Sequence, residues 1–236
     1  MSAPPRSTCS HPATRAEPVR DITAAQGLIE SSTVVVPDMT NPLALSPEAQ
    51  ALLFRDARTA NTFTDEPVTD DQIAAIYDLV RYGPTAMNNQ PLRIVLVREG
   101  EARERLLKVM ADGNRDKTAN APLVAILAAD TDFHEHFHRT FPHFPGARDA
   151  FADPAAREQA ARFNATLQIG YFLIGVRAAG LAAGPMGGFD ADALDAEFFA
   201  GTSLKSLLVV NLGQPGENAW YDRLPRLEHS EVVLEG

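Results

Sequence analysis

Three short segments of this 236-residue chain set polar side chains beside residues that let the backbone turn sharply. In Arg55-Asp56-Ala57-Arg58-Thr59-Ala60-Asn61, two arginines sit about one turn apart where an apolar helical stretch ends. Paired guanidinium groups can grip an anion; the plainer reading is a solvated helix end, where cations meet the negative pole of the dipole. Gly83-Pro84-Thr85-Ala86-Met87-Asn88-Asn89-Gln90-Pro91 carries three consecutive amides between a helix and a strand, and would otherwise be an ordinary capped loop. In Gly184-Pro185-Met186-Gly187-Gly188-Phe189 a glycine pair permits a backbone approach that a Cβ would block. His134, His136, His138 and His143 invite a metal, yet only His134 and His138 stand at i, i+4 and no cysteine supports them, so none is expected. The chain also lacks a Gly-rich dinucleotide turn and a phosphate loop ending in Gly-Lys-Ser or Gly-Lys-Thr.

Regular elements must position those segments. Ser46-Pro47-Glu48 opens a helix expected to carry Leu52, Leu53 and Phe54 inward and to end near Arg58. Thr69-Asp70-Asp71-Gln72 has the spacing of a capping box, and Ile73, Ile76, Tyr77 and Val80 continue it as one apolar stripe until Gly83-Pro84. Ile94–Val97, Leu123–Ala129 and Leu207–Val210 read as buried strands, with short helices over 101–111 and near 190–199. Residues 131–153 form a long Phe-, His- and Pro-rich loop of the kind that serves as a lid or binding element. Asp153-Pro154 caps a helix reaching Ala179, with Gly180 as terminator. It is apolar on so much of its surface that it must be covered nearly all round, part of that cover coming from a second subunit. Its internal Gly170 and Gly175 suit close helix packing. The expected class is α+β, a sandwich of helices about a small mixed central sheet over 43–236. Residues 1–42, broken by Pro4, Pro5, Pro12, Pro18, Pro37 and Pro42, read as a flexible arm.

Bulk properties narrow the function. Apolar residues at 45% are enough for a real core, and 21 basic against 31 acidic residues leave a net charge of −10, which argues against nucleic acid as a partner. A local basic pocket for one small phosphate remains compatible with that balance. One cysteine, Cys9, excludes an intramolecular disulfide framework. No run approaches the roughly 18 apolar residues of a membrane span. Prolines and charges stand where a signal peptide would be apolar, so a cytoplasmic protein is expected.

Together the three segments match a family. Asn88-Asn89-Gln90-Pro91 after Gly83-Pro84-Thr85 resembles the Asn-x-Gln-Pro signature of FMN-dependent nitroreductases. Arg58-Thr59-Ala60-Asn61-Thr62-Phe63 is similar to the Arg-Ser-x-Arg-x-Phe opening of those domains. Pro185-Met186-Gly187-Gly188-Phe189 looks like the segment lying over the flavin, and Arg223-Leu224-Pro225-Arg226-Leu227 like the basic C-terminal element. Leu53–Thr59 and Phe198–Ser206, with the Arg223 segment, bring the likeness nearest to the malonic semialdehyde reductase branch. Asn61 and Asn88-Asn89-Gln90-Pro91 depart from the usual forms, Asn61 where the wider superfamily often has a second arginine and the amide loop from that branch's own.

The resemblance implies a nitroreductase-like homodimer with FMN at its interface, reduced by NADH or NADPH in a ping-pong hydride relay. Arg58 and Arg226, helped by Arg223, would hold the FMN phosphate, and Thr59 and Asn61 the ribityl or phosphate end. Asn88 would face the ring edge, Thr85, Ala86 and Met87 would line the ring, and Gln90 belongs to the same loop. Pro185, Met186, Gly187 and Gly188 would lie against the ring, a glycine N–H meeting flavin N5. Arg93 is the candidate cation for a substrate carboxylate. The expected reaction reduces a small carbonyl compound such as malonic semialdehyde. The alternatives are a broad nitroaromatic or quinone reductase, or a tailoring oxidoreductase of a biosynthetic pathway. A flavin-binding protein without turnover would have lost the amides or glycines, and both are present.

Overall fold

The computed structural model describes residues 42–236, so most of the proline-rich arm lies outside the described residues. By its contacts the chain divides between Ala44 and Leu45, and every helix and strand of the described residues belongs to the second unit. Helix α1 (Pro47–Gln50) starts where Ser46 accepts from the Ala49 amide, then widens into a π-turn over Ala51–Arg55. The widening rotates the following side chains, and Leu52 and Phe54 are exposed, not inward as the sequence predicts. Helix α2 (Asp70–Val80) has the expected capping box: Thr69 accepts from the Gln72 amide at 3.2 Å and Gln72 Oε1 from the Thr69 amide at 2.9 Å.

Strand β1 (Leu92–Val97) comes next, then helices α3 (Glu101–Val109) and α4 (Asp112–Ala119), strand β2 (Leu123–Asp130) and the short helix α5 (Phe137–Thr140). Residues 131–153, expected as loop, contain α5 and further single turns wrapped around Phe133, Phe137 and Phe151. Helix α6 (Pro154–Ala178) is capped by Asp153 as predicted, and Gly180 at φ 74° ends it. Strand β3 (Ala182–Met186), helix α7 (Ala191–Phe198), strand β4 (Leu204–Gly213) and the short helix α8 (His229–Val232) complete the order.

The sheet runs β1-β2-β4-β3. Its ladders are antiparallel throughout, and the parallel element of the expected mixed sheet is the isolated bridge between Thr59 and Ala183. Strand β2 is buried along its whole length, and its period-2 alternation divides the core. Leu123, Ala125 and Leu127 join Ile76 of α2 and Ile169, Phe172 and Val176 of α6. Val124, Ile126 and Ala128 join Leu106 of α3 and Leu194 of α7. These are the outer layers of the α-β-α sandwich. Buried Arg103 ties one of them down, donating to the carbonyls of Val97, Thr118 and Ala121 at 2.7–2.9 Å, and its burial lowers its pKa.

Helix α6 buries one face only. Phe163, Leu167, Tyr171 and Ile174 form a second apolar stripe that stays exposed, Phe163 at 65%. Of its two glycines only Gly175 is packed: a Cβ there would stand 2.4 Å from Val80 Cγ1 and 3.2 Å from Ile76 Cγ2, whereas Gly170 has nothing within 4 Å. Gly175→Ala is therefore expected to push α2 from α6 and cost about 1–3 kcal/mol in denaturant unfolding.

Candidate functional site

Each set of site residues hangs on an edge of the sheet. Beside β3, the Ala60 amide donates to the Ala183 carbonyl at 3.0 Å and the Asn61 amide to Ala219 at 3.0 Å, which lays residues 58–61 along the strand. Gly184 makes this possible, because a Cβ there would lie 2.6 Å from the Ala60 carbonyl oxygen. Arg58 Nη1 donates to the Tyr221 carbonyl at 3.2 Å, and Arg223 Nη2 donates to the carbonyls of Arg55 and Ala57. Arg55, Arg58, Arg177 and Arg223 line one cavity of about 630 Å³ together with Asp56 and Trp220. Among the described residues, none of the four is within 4.0 Å of a carboxylate oxygen. Arg226 does not join them; it donates to Leu224 and Pro225 of its own segment.

At its far end β3 delivers the glycine pair. Gly187 is exposed, and no atom lies within 4 Å of where a Cβ would be. Gly188 serves packing, since Asn114 Nδ2 would lie 2.5 Å from its Cβ and donates to its carbonyl at 2.9 Å. Asn114 and Lys117, missed from sequence, stand on α4; Lys117 lines a smaller cavity with Asn61, Asn218 and Tyr221. Only helical prediction of 112–119 could have found them, and that segment has no apolar stripe to betray it.

The amide loop lies at the β1 edge. Met87, Asn88 and Gln90 have φ of 52°, 51° and 42°, left-handed values that cost non-glycine residues energy and gather at functional sites. The surroundings hold them there. The Ala86 amide donates to Asn164 Oδ1 at 2.8 Å, the Gln90 amide to Thr85 Oγ1 at 3.3 Å, Gln90 Nε2 to Asn88 Oδ1 at 2.8 Å and Asn88 Nδ2 to the Thr140 carbonyl at 2.7 Å. Asn164 is buried in α6, a position that composition marks only as an oddly polar residue in an apolar helix. Asn89 is buried too, with neither side-chain amide atom partnered among the described residues. Arg93 pairs with Asp130 at 2.6 Å and donates to the carbonyls of Gln90 and Leu92, so it braces the loop.

The segment carrying Thr140 has an electrostatic tether. Arg148 grips Glu135 with two hydrogen bonds of 2.7 and 2.9 Å, which hold the Glu135 carboxyl below its ordinary value of 4.5. A carboxyl so lowered contributes stability above its ordinary value and loses it as pH falls through the depressed one. Amide protection over 133–151, taken relative to intrinsic exchange at each pH, is expected to fall only below pH 4.5, and in Glu135→Gln to be slightly lower already at neutral pH, since the pair is exposed.

One chain therefore brings together Arg58, Thr59, Asn61, Pro185, Met186, Gly187, Gly188 and Arg223 at β3, and Thr85 to Gln90 with Arg93 at β1. It does not unite the two sets: strands β2 and β4 separate those edges, three spacings or about 14 Å.

Residues 55–214 match the model of the Nitroreductase family. The chain belongs to that family. A protein of Streptomyces griseus named "Putative NADH dehydrogenase/NAD(P)H nitroreductase" is 62% identical over 192 residues, 81% of this chain and 97% of its own. A Caulobacter vibrioides protein of the same name is 45% identical over 78% of this chain and 94% of its own. Among solved structures, a nitroreductase-type protein of Exiguobacterium sibiricum in complex with FMN superposes with TM-score 0.70 at 15% identity, covering 81% of this chain and 98% of its own. A nitroreductase family protein of Streptococcus pneumoniae gives 0.65 at 19%, covering 80% and 98%. These two share the fold. The family makes this chain an oxidoreductase, and among the described residues no helix is long and apolar enough to cross a membrane.

Proposed function

We propose that this nitroreductase-family chain binds FMN and passes reducing equivalents from NADH or NADPH to a small carbonyl compound, as a homodimer whose two sites each draw on both chains. The observation that carries the reading is the β3 edge, where guanidinium groups without carboxylate partners among the described residues lie at one end and the exposed Gly187 at the other. The residues present fit the cofactor. Arg58 and Arg223 suit its phosphate, because planar guanidinium forks bind phosphate oxygens in pairs. Thr59 and Asn61 would meet its ribityl or phosphate end, and Pro185 to Gly188 would lie against the ring, with the exposed Gly187 supplying a backbone N–H. Bound FMN would supply hydride transfer from the nicotinamide to the acceptor.

Homodimerisation is favoured by two features. The β1-edge loop with Asn88 lies on the sheet edge opposite β3, and α6 leaves Phe163, Leu167, Tyr171 and Ile174 exposed as one stripe. In the proposed dimer a second copy covers that stripe, and its amide loop supplies the other half of the site.

For the acceptor we propose malonic semialdehyde, taken to 3-hydroxypropanoate with one NAD(P)H and one proton consumed. The support is the likeness of Leu53–Thr59 and Phe198–Ser206 to that branch of reductases. Arg93 could serve its carboxylate only by sharing a guanidinium already committed to Asp130. The printed names of the relatives favour a nitro compound as the second reading. The test is to purify the protein, record whether it is yellow, and mix it anaerobically with NADH and NADPH before adding malonic semialdehyde, a nitroaromatic or a quinone. Bleaching and then recovery with one acceptor class is expected; a protein that takes up no FMN ends this reading.

A further inference from the structure

The arginine cavity offers more than a phosphate monoester requires. Its four guanidinium groups, less the carboxylate of Asp56, leave three positive charges against the −1.5 to −2 of one phosphate, and its volume is about 630 Å³. Arg58 and Arg223 already serve the proposed FMN phosphate. Arg177, in the last turn of α6, donates from Nε to the Leu52 carbonyl at 3.2 Å and from Nη1 to the Leu181 carbonyl at 3.3 Å, which leaves Nη2 without a partner among the described residues. Arg55 donates from Nη2 to Gln50 Oε1 at 2.7 Å. Trp220 lines the same cavity, is 37% exposed, and is the single tryptophan of the sequence. An indole beside guanidinium groups that have no carboxylate partner among the described residues is the chemistry that recognises a base joined to a phosphate.

We infer that this cavity is a subsite for an adenosine phosphate, with the base against Trp220 and the phosphate between Arg55 and Arg177. Two sources carry that group: the adenylate half of the proposed nicotinamide dinucleotide, and that of FAD if FAD is taken in place of FMN. The subsite for a base joined to a phosphate rests on the cavity; the choice of adenosine, and of its source, rests on the proposed function.

Trp220 makes the test direct. The full-length protein, with and without FMN, is titrated with ADP and with adenosine 2′-monophosphate while its tryptophan emission is followed. Saturable quenching is expected, and Arg177→Gln should weaken it about 10-fold or more, the usual loss with a charge-assisted pair. Arg177→Lys should recover part of it. Because Arg177 also holds two carbonyls, thermal melting is recorded for each variant, and Trp220→Leu is assayed by calorimetry as an independent route. If ADP still binds the FMN-loaded protein and Arg177→Gln raises KM for NADPH without changing kcat or FMN affinity, the dinucleotide is the source. If FAD binds more tightly than FMN in the wild type and loses that advantage in Arg177→Gln, the source is FAD. No saturable response to either nucleotide, or one unchanged in both Arg177→Gln and Trp220→Leu, overturns the subsite. A chain that binds no flavin would end the proposed function, while the ADP titration would still decide this one.

Discussion

Gly184→Val is expected to abolish FMN binding while leaving a folded, weakened protein. A Cβ at this position would meet the Ala60 carbonyl oxygen at 2.6 Å, with Asn211 Cβ and Phe63 Cζ each at 3.5 Å behind it. The obstructing atom is main chain, so no rotamer change relieves the clash. Residues 58–61 must leave β3, and the bond from the Ala60 amide to Ala183 breaks with them. Overpacking of this kind costs about 1–3 kcal/mol in stability. The larger effect falls on the site, because Arg58, Thr59 and Asn61 lose their alignment with Gly187 together. Gly184→Ala should do the same in smaller measure. Unfolding midpoints and FMN titrations check both variants; a Gly184→Val protein that binds FMN as the wild type does would show that residues 58–61 do not belong to the flavin site.

The same glycine shows why part of the site was legible and part was not. Gly184-Pro185 is punctuation in sequence terms, so no strand is expected there. In the molecule it is strand β3, tolerated because a proline at a sheet edge gives up no needed ladder bond. Elements governed by local rules were readable: the Thr69 box, the Asp153 cap, the apolar runs of β2 and β4. Elements governed by tertiary contact were not. Helix α4 has no apolar stripe, so Asn114 and Lys117 stayed invisible, and the π-turn at Ala51–Arg55 redirected Leu52 and Phe54. Arg93 looked like a free cation at a strand end because its partner, Asp130, lies 37 residues away on the neighbouring strand. Motif order could join the arginines to the glycines; it could not reveal that the amide loop belongs to the opposite edge of the sheet.

That separation yields the sharpest expectation. Arg58→Gln damages the β3-edge half of the site, and Asn88→Ala damages the β1-edge half, where alanine must also adopt a left-handed φ near 51°. Each homodimer should be poor in flavin and in turnover. If a site takes its β3-edge half from one chain and its β1-edge half from the other, the mixed dimer has one site with both halves damaged and one with both intact. Random pairing of equal amounts, by co-expression or by refolding together, makes half the dimers mixed, so about a quarter of wild-type activity should return. Sites confined to single chains predict no return at all, since every chain in the mixture then carries one damaged half. The exposed stripe of α6 supplies the internal control, because Leu167→Glu on both variants should block pairing and with it the recovery. Mixtures that stay inactive although a tag carried by one variant alone co-purifies the other would leave the β1-edge loop outside the flavin site.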